Sequence, residues 1–180
     1  PPAGPRPAPQ ALLDAPTAEG SAYSKLMDET RSAYGLTVNT LPKSDLQALI
    51  AAAHQRGKMT LVHIATLEGA RDAIAAGADG LAHIFNDVAP DPEFGRFVAA
   101  HHAFVVPTLS VNESAAGVAS GASLVTDTRL QPFVNAAEIE NLKASFPPRT
   151  GSPHNIDFAS AAVRELKAAG VPILGGTDAP

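Results

Sequence analysis

The sequence contains no cysteine, so disulfides, thiolate metal sites and a cysteine nucleophile are all excluded. It has no apolar run of the ~20 residues that a transmembrane helix requires. The net charge of −5 at pH 7 comes from interspersed signs, so no basic stripe favours nucleic acid as a partner. The lack of cysteine does not fix the compartment, and we expect a cytoplasmic protein by default.

Several motifs with well-defined chemistry are also missing. No Gly-x-Ser-x-Gly elbow is present, and Ser110 has no partner that marks it as a nucleophile. A complete P-loop or dinucleotide fingerprint is absent, and close backbone approach to a metal site explains Gly175-Gly176 as well as phosphate binding does. Residues 1–10 have neither the basic start nor the apolar core of a signal peptide, so we expect them to form a loop.

The composition that remains is ordinary for a globular domain, and its apolar runs alternate with helical patterns. The 180 residues are 45% hydrophobic and 17% charged, but they are few for a closed eight-stranded α/β barrel of ~250 residues. Apolar runs predict five strands, at residues 22–27, 59–64, 81–85, 104–109 and 171–174. Four main helices alternate with them, which predicts an α/β fold with a parallel sheet buried on both faces.

Local signals predict where these elements begin and end. Ser44 opens a capping-box pattern, and Thr66 can cap the next helix. Asp91-Pro92 combines an N-cap residue with proline at the first helical position. Residues 111–153 break the rhythm and contain a short helix near 129–146. A loop of this length is usually a lid or a substrate-facing insertion.

Two histidines and an aspartate occur in matching settings. His63 and His83 each lie six residues after a glycine, and Asp178 lies eight residues after one. In each case an apolar run, which predicts a strand, leads to the polar residue. Carboxyl ends of parallel strands lie at one edge of a sheet, so we expect the three side chains to converge. Imidazole and carboxylate bind Zn²⁺ and related ions, and the alternative is strand-end side chains bonded to nearby backbone.

Three segments resemble strands five, six and eight of the amidohydrolase superfamily. They are Leu61-Val-His-Ile-Ala-Thr66, Gly80-Leu-Ala-His-Ile-Phe85 and Ile173-Leu-Gly-Gly-Thr-Asp-Ala179. They are most similar to the imidazolonepropionase-like hydrolases and Xaa-Pro dipeptidases, and the resemblance runs from about Ala22 to Pro180 apart from the insertion. It implies part of a (β/α)8 TIM-type barrel with one or two divalent metal ions, which we expect to be zinc, at the carboxyl ends of the strands.

The resemblance also implies roles for individual residues. His63 and His83 would bind the more exposed metal ion. Asp178 would bind the more buried one and act as general base on the bridging hydroxide. Lys25 falls where binuclear members have a carboxylated lysine after strand four, whose added CO₂ supplies a bridging anion. Without the resemblance, Lys25 is as well explained as a solvated lysine.

One part of the superfamily pattern is missing. Its members begin with a His-x-His pair on strand one, and no His-x-His occurs in this sequence. His101-His102 does not replace it, because adjacent helical residues point ~100° apart and this pair ends a helix, away from the site. We interpret His54 in the same way, as a histidine at a helix C-terminus. The chain is therefore expected to be the strand-four to strand-eight part of one barrel domain, with an insertion at 111–153.

The implied reaction is hydrolysis of an amide or related C–N bond in a small molecule by a metal-activated hydroxide. Dipeptides, cyclic amides, N-acyl compounds and carbamates all stay open as substrates. Polar residues in the loops after the strands could touch the substrate, and we name Tyr34, Asn86 and His154, with Asp87, Thr108 and Ser110 as weaker candidates.

Two other functions stay open at this stage. The chain could be a catalytically silent structural or binding piece of such a barrel. It could also be a lyase or isomerase that uses Lys25 as a Schiff base. The sequence leaves open whether the protein forms a homo-oligomer.

Overall fold

A computed structural model describes residues 9–28, 41–147 and 155–178. It contains a sheet whose strands are all parallel and lie in chain order. The strands are β1 (Tyr23–Met27), β2 (Met59–His63), β3 (Gly80–Ala82) and β4 (Phe104–Val106). The predicted α/β class with a parallel sheet is confirmed.

Seven α-helices and two short 3₁₀ helices accompany the sheet in the described ranges. The α-helices are α1 (Pro9–Ala18), α2 (Lys43–Gln55), α3 (Leu67–Ala75), α4 (Phe94–Ala100), α5 (Leu109–Ala115), α6 (Ala136–Lys143) and α7 (Ile156–Ala168). The 3₁₀ helices are Ser120–Thr126 and Gln131–Phe133. Helices α2, α3 and α4 each link one strand to the next, as parallel pairing requires.

One face of the sheet forms the hydrophobic core with the helices. Alternate strand residues on this face are buried, namely Leu26, Val62, Leu81 and Val105. The helices contribute Leu46, Ile50, Ile74, Phe94, Val98 and Leu166 to the same cluster. Burying side chains of this size stabilises the fold by about 1.5–3 kcal/mol each, so the helical layer is held on mainly by this face.

The opposite face of the sheet is open within the described part of the chain. Tyr23, Met27 and Met59 are each about half exposed. Lys25 lies between the first two on β1 and is exposed as well. The expectation of a sheet buried on both faces is therefore wrong for these residues, because helices cover only one face.

The fifth predicted strand, at 171–174, is not a full strand. Ile173 forms an isolated parallel bridge with Val105. The Val105 amide donates to the Pro172 carbonyl, and the Leu174 amide donates to the Val105 carbonyl. Pro172 has no amide with which to continue the ladder, so the segment lies beside β4 without regular pairing.

Helix starts follow the predictions in part. Thr66 caps α3 by accepting a hydrogen bond from the Gly69 amide, as predicted. The capping box at Ser44 is wrong, because α2 begins at Lys43 after Pro42, which places Ser44 inside the helix. The start at Asp91-Pro92 is also displaced, since α4 begins at Phe94 and Asp91 instead accepts from the Glu93 amide ahead of it.

The insertion is more helical than predicted. α5 lies at its start, and α6 occupies the middle of the short helix expected near 129–146. Asn135 and Glu138 form a capping box at α6. At the amino terminus, α1 begins at Pro9, so the loop expected for residues 1–10 is wrong there, and residues 1–8 lie outside the described ranges. None of the described helices is both long enough and apolar enough to cross a membrane.

Candidate active site at the carboxyl edge of the sheet

The structure brings three of the predicted site residues together at the carboxyl edge of the sheet. His63 is the last residue of β2, and His83 directly follows β3. Their ring centroids are 4.5 Å apart, with the rings at 71° to each other. The Asp178 carboxylate approaches from the segment beside β4, with its Oδ2 3.9 Å from His83 Nε2. The convergence expected from the glycine-to-ligand spacing therefore occurs.

The backbone at His83 decides where its ring points. Its φ of 71° lies in the left-handed region, and β3 therefore ends at Ala82 instead of running to residue 85 as predicted. In a regular strand, His83 would share a face with Leu81, under the helices. The turn at His83 instead places its ring beside His63.

Backbone strain is concentrated at this edge. Of the four described non-glycine residues with positive φ, three are His83, Thr108 and Asp178. Conformations of this kind cost about 1–3 kcal/mol each and persist where the surroundings enforce them. Their clustering at three successive strand ends supports the hypothesis that this edge is a functional site.

His83 has an unusual environment. It is 8% exposed, its Nδ1 lies 2.8 Å from Thr108 Oγ1, and its buried Nε2 has no hydrogen-bond partner in the part of the chain that the structure describes. Burial lowers the pKa of His83 to about 4, with repulsion from His63 and Lys25 acting in the same direction and Asp178 opposing them. His83 is therefore a neutral imidazole at pH 7, which is the form that binds metal ions.

Lys25 lies on the same face of the sheet as His63, one pleat earlier. It pairs in register with Leu61, while Met27 pairs with His63. Its side chain is exposed, and its charge is near enough to His83 to depress the histidine's pKa. The position is compatible with a lysine that faces the site, and its carboxylation stays a prediction.

The three predicted substrate contacts have different outcomes. Tyr34 and His154 lie outside the described residues. Asn86 is 3% exposed, and its amide donates a hydrogen bond to Asn112 Oδ1 at 2.9 Å. Its carbonyl accepts from the Asn155 amide, so Asn86 ties the loop after β3 to the start of α7. A contact between Asn86 and substrate stays a prediction.

Sequence reasoning undervalued two residues at this edge. Thr108 was only one of several strand-end candidates, although it is 4% exposed and contacts His83. Asp28, which directly follows β1, was not considered, yet it is 5% exposed and its amide donates to the His63 carbonyl. A carboxylate placed immediately after a strand was the signal for Asp28, whereas Thr108 has no signal except its position after β4.

Gly176 is required by close packing next to Asp178. A Cβ added at Gly176 would lie 2.5 Å from Val106 Cγ1, which is closer than side-chain carbons approach. The glycine therefore lets the segment that carries Asp178 lie directly on β4. This contact is with β4, so the close approach of Gly175-Gly176 to a metal site stays a prediction.

The opposite edge of the sheet holds the remaining described histidines. His54 lies in the last turn of α2, with its Nε2 2.8 Å from Asp79 Oδ2. His101 is the C-cap residue of α4, and its Nδ1 lies 2.8 Å from the Phe97 carbonyl oxygen. His102 follows with a φ of 57°. All three occur at helix C-termini, away from the carboxyl edge, as the sequence indicates.

The donor set at the carboxyl edge fits a metal ion only in part. His83 Nε2 is a buried nitrogen of a neutral ring and has no hydrogen-bond partner among the described residues, so it can act as a metal ligand. The distance from His83 Nε2 to Asp178 Oδ2 is 3.9 Å, which is less than the ~4.2 Å that two metal–ligand bonds can span. Within the described ranges, however, no group of three or more His, Asp or Glu side chains could hold a metal ion by itself. The residues present therefore suit one side of a metal site.

Solved hydrolase structures have the same arrangement of strands and helices. An amidohydrolase matches with a TM-score of 0.62 and 22% identity, over 94% of this chain and 36% of its own length. A Xaa-Pro dipeptidase with bound methionine in the active site matches with a TM-score of 0.60 and 23% identity, over 98% of this chain and 41% of its own. The chain therefore shares the fold of the matching part of these two structures.

A third solved structure shares this fold. Ochratoxinase of A. niger matches with a TM-score of 0.62 and 20% identity, over 94% of this chain and 34% of its own length. The chain thus spans about a third to two fifths of the length of these proteins, which confirms the expectation of a partial barrel. No protein-family model and no curated protein matches the sequence.

Proposed function

We propose that this chain forms part of a metal-dependent hydrolase that cleaves an amide or related C–N bond in a small molecule. The observation that carries the proposal is the neutral, unpartnered Nε2 of His83, held beside His63 and Asp178 at the carboxyl edge of an amidohydrolase fold. Active sites of α/β barrels lie at this edge. The named relatives hydrolyse different compounds, so the bond class is proposed and not the substrate.

Each residue has a role that follows from its chemistry. His63 and His83 would hold a divalent ion through their imidazole nitrogens. When bound, one or two such ions, zinc in our proposal, would polarise the substrate carbonyl and lower the pKa of the attacking water to ~7. The Asp178 side chain is 45% exposed, so it can reach water, accept its proton and deliver that proton to the leaving nitrogen. Lys25, once carboxylated, would supply a further anionic ligand.

The decisive experiment compares metal content and hydrolysis in matched histidine variants. The His63→Ala, His83→Ala double variant should lose bound zinc and lose hydrolysis of Xaa-Pro dipeptides or N-acyl amino acids. The control is the His54→Ala, His101→Ala double variant, which removes two imidazoles from the opposite edge and should retain both properties. Equal and negligible zinc in the wild type and both variants would contradict the proposal.

One alternative retains support from the structure. Because no group of three or more His, Asp or Glu side chains in the described ranges could hold a metal ion, the chain by itself could be a silent binding or structural piece. Supplying Zn²⁺ to purified protein distinguishes the two functions, since a silent piece gains no hydrolysis. The Schiff-base alternative has less support, because Lys25 is exposed and a desolvated amine is what that chemistry favours. Borohydride trapping with a carbonyl substrate tests it.

A further inference from the structure

Thr108 is linked to His83 by a buried hydrogen bond that connects the ends of β3 and β4. His83 Nδ1 and Thr108 Oγ1 are 2.8 Å apart, and the two residues are 8% and 4% exposed. Water therefore does not compete for this contact. The bond fixes one nitrogen of the ring and leaves the other, Nε2, on the side of Asp178.

The backbone of Thr108 is held in a conformation that threonine rarely adopts. Its φ of 43° and ψ of 49° are left-handed, and β-branched residues are genuine outliers there. Asn112 lies against this turn, with its side-chain amide 3.4 Å from the Pro107 carbonyl oxygen and 3.5 Å from that of Thr108. Asn112 is in turn bonded to Asn86. A network of polar contacts therefore sets the position of the Thr108 hydroxyl.

The chemistry of neutral imidazole makes this contact consequential. One ring nitrogen carries a proton and donates, while the other presents a lone pair. If Nε2 carried the proton, a buried N–H would have no acceptor within the described residues. If Nδ1 carries it, the Nδ1–H group donates a hydrogen bond to Thr108 Oγ1, and the Nε2 lone pair is free for a ligand.

We propose that Thr108 is a positioning residue: its hydroxyl accepts a hydrogen bond from His83 Nδ1–H and so holds the ring in the tautomer whose Nε2 lone pair faces the site. The assignment of the tautomer depends only on the hydrogen bond between His83 and Thr108. The use of this tautomer in metal binding rests on the proposed function. Outer partners of this kind raise the affinity of a ligand histidine for its metal by fixing ring orientation.

Nitrogen-15 NMR of the metal-free protein tests the tautomer directly. We expect a pyrrole-type shift for His83 Nδ1 and a pyridine-type shift for Nε2 in the wild type and in Thr108→Ser, which keeps the hydroxyl. Thr108→Val keeps the β-branched shape without the hydroxyl and should lose this preference. Thr108→Gly adopts positive φ without strain, so it serves the same purpose if the valine variant does not fold. A wild-type preference retained in Thr108→Gly would overturn the proposal, as would Nε2–H in the wild type.

Calorimetric titration with Zn²⁺ tests the link to metal binding. Loss of the hydroxyl in Thr108→Val or Thr108→Gly should weaken Zn²⁺ binding by roughly 10–100-fold, and Thr108→Ser should restore it. Unchanged affinity in the hydroxyl-free variants would refute this link. If the wild type binds no Zn²⁺, the proposed function fails, while the NMR result still decides the role of Thr108.

Discussion

The two edges of the sheet carry the same three residue types in opposite states. At the amino edge, Asp79 Oδ2 lies 2.8 Å from His54 Nε2 and accepts hydrogen bonds from the amide and hydroxyl of Thr60. At the carboxyl edge, His83 Nε2 is 3.9 Å from Asp178 and unpartnered in the described part of the chain, while its other nitrogen contacts Thr108. The histidine and aspartate are bonded to each other at the amino edge, whereas at the carboxyl edge they are not.

This difference indicates that the amino edge stabilises the fold, whereas the carboxyl edge has features that cost stability. Buried polar groups are normally satisfied, so an unsatisfied one needs an explanation. The amino edge satisfies its aspartate and so stabilises the fold. The carboxyl edge keeps an open nitrogen and strained backbone, both of which cost stability. We infer that the cost is retained because the open nitrogen binds a ligand.

The largest expected effect is a difference in hydrolysis between variants of Asp178 and Asp79. Asp178→Asn should lower hydrolysis by roughly 10²–10⁴-fold, because the amide cannot accept the proton of water. Asp79→Asn is the matched control and should leave kcat within about twofold of the wild type. Steady-state kinetics on the best Xaa-Pro or N-acyl substrate measures both, and equal losses would remove the distinction between the edges.

The second prediction separates the two edges by pH. As pH falls from 6.5 to about 4, unfolded His83 gains a proton that the folded metal-free protein excludes, so the free energy of unfolding should fall by about 3 kcal/mol. For Asp79, burial raises the carboxyl pKa, but the hydrogen bonds from His54 and Thr60 together lower it by more. The pKa of Asp79 is therefore below its usual value. Its stabilisation is therefore lost only below pH ~3.8. Urea unfolding at a series of pH values measures both effects. In His83→Asn, the fall in the free energy of unfolding between pH 6.5 and about 4 should disappear.

The third prediction concerns the stability of the two aspartate variants, where we expect the reverse of their order in activity. Asp79→Asn should lower the free energy of unfolding by about 1–2 kcal/mol, because it weakens three polar contacts at a partly exposed site. Asp178→Asn should change it by less than about 0.5 kcal/mol, since Asp178 makes no short ion pair with the residues that the structure describes. Chemical denaturation measures both. A larger loss for Asp178→Asn would mean that the carboxyl edge also supports the fold.

The smallest effect concerns backbone strain outside the site. His102 has a φ of 57° after the end of α4, where glycine is the usual residue. His102→Gly should raise the free energy of unfolding by about 0.5 kcal/mol without changing hydrolysis. The neighbouring His101, with a φ of −94°, is the control, and His101→Gly should give no gain. A loss of activity in His102→Gly would show that this end influences the site.

The sequence predicted which residues lie at the carboxyl edge. His63 ends β2 and His83 directly follows β3, and these strands are neighbours in both chain and sheet, so strand order places both residues there. The direction of the His83 ring was not predicted, because it depends on the left-handed turn. Thr66 was predicted for a similar reason, because this cap depends on only four consecutive residues, 66 to 69. Short-range patterns were sufficient for these features.

Features that depend on distant partners were missed. His83, at the left-handed turn, contacts Thr108, 25 residues away, and Thr108 contacts Asn112, which is bonded to Asn86. No local pattern encodes such contacts. The failed cap at Ser44 is a local error, since Pro42 is the N-cap residue and α2 begins at Lys43, two residues before the expected start at Asp45.

The strand order of the sheet has a consequence for the sequence of events in folding. Each described strand pairs with the strand synthesised just before it, so every new pairing closes only a short stretch of chain. His63 and His83 can meet as soon as β3 docks, whereas Asp178 arrives with the last described segment. In chain order the two imidazoles precede the carboxylate of Asp178, so we expect the imidazole pair to be assembled before that carboxylate joins it.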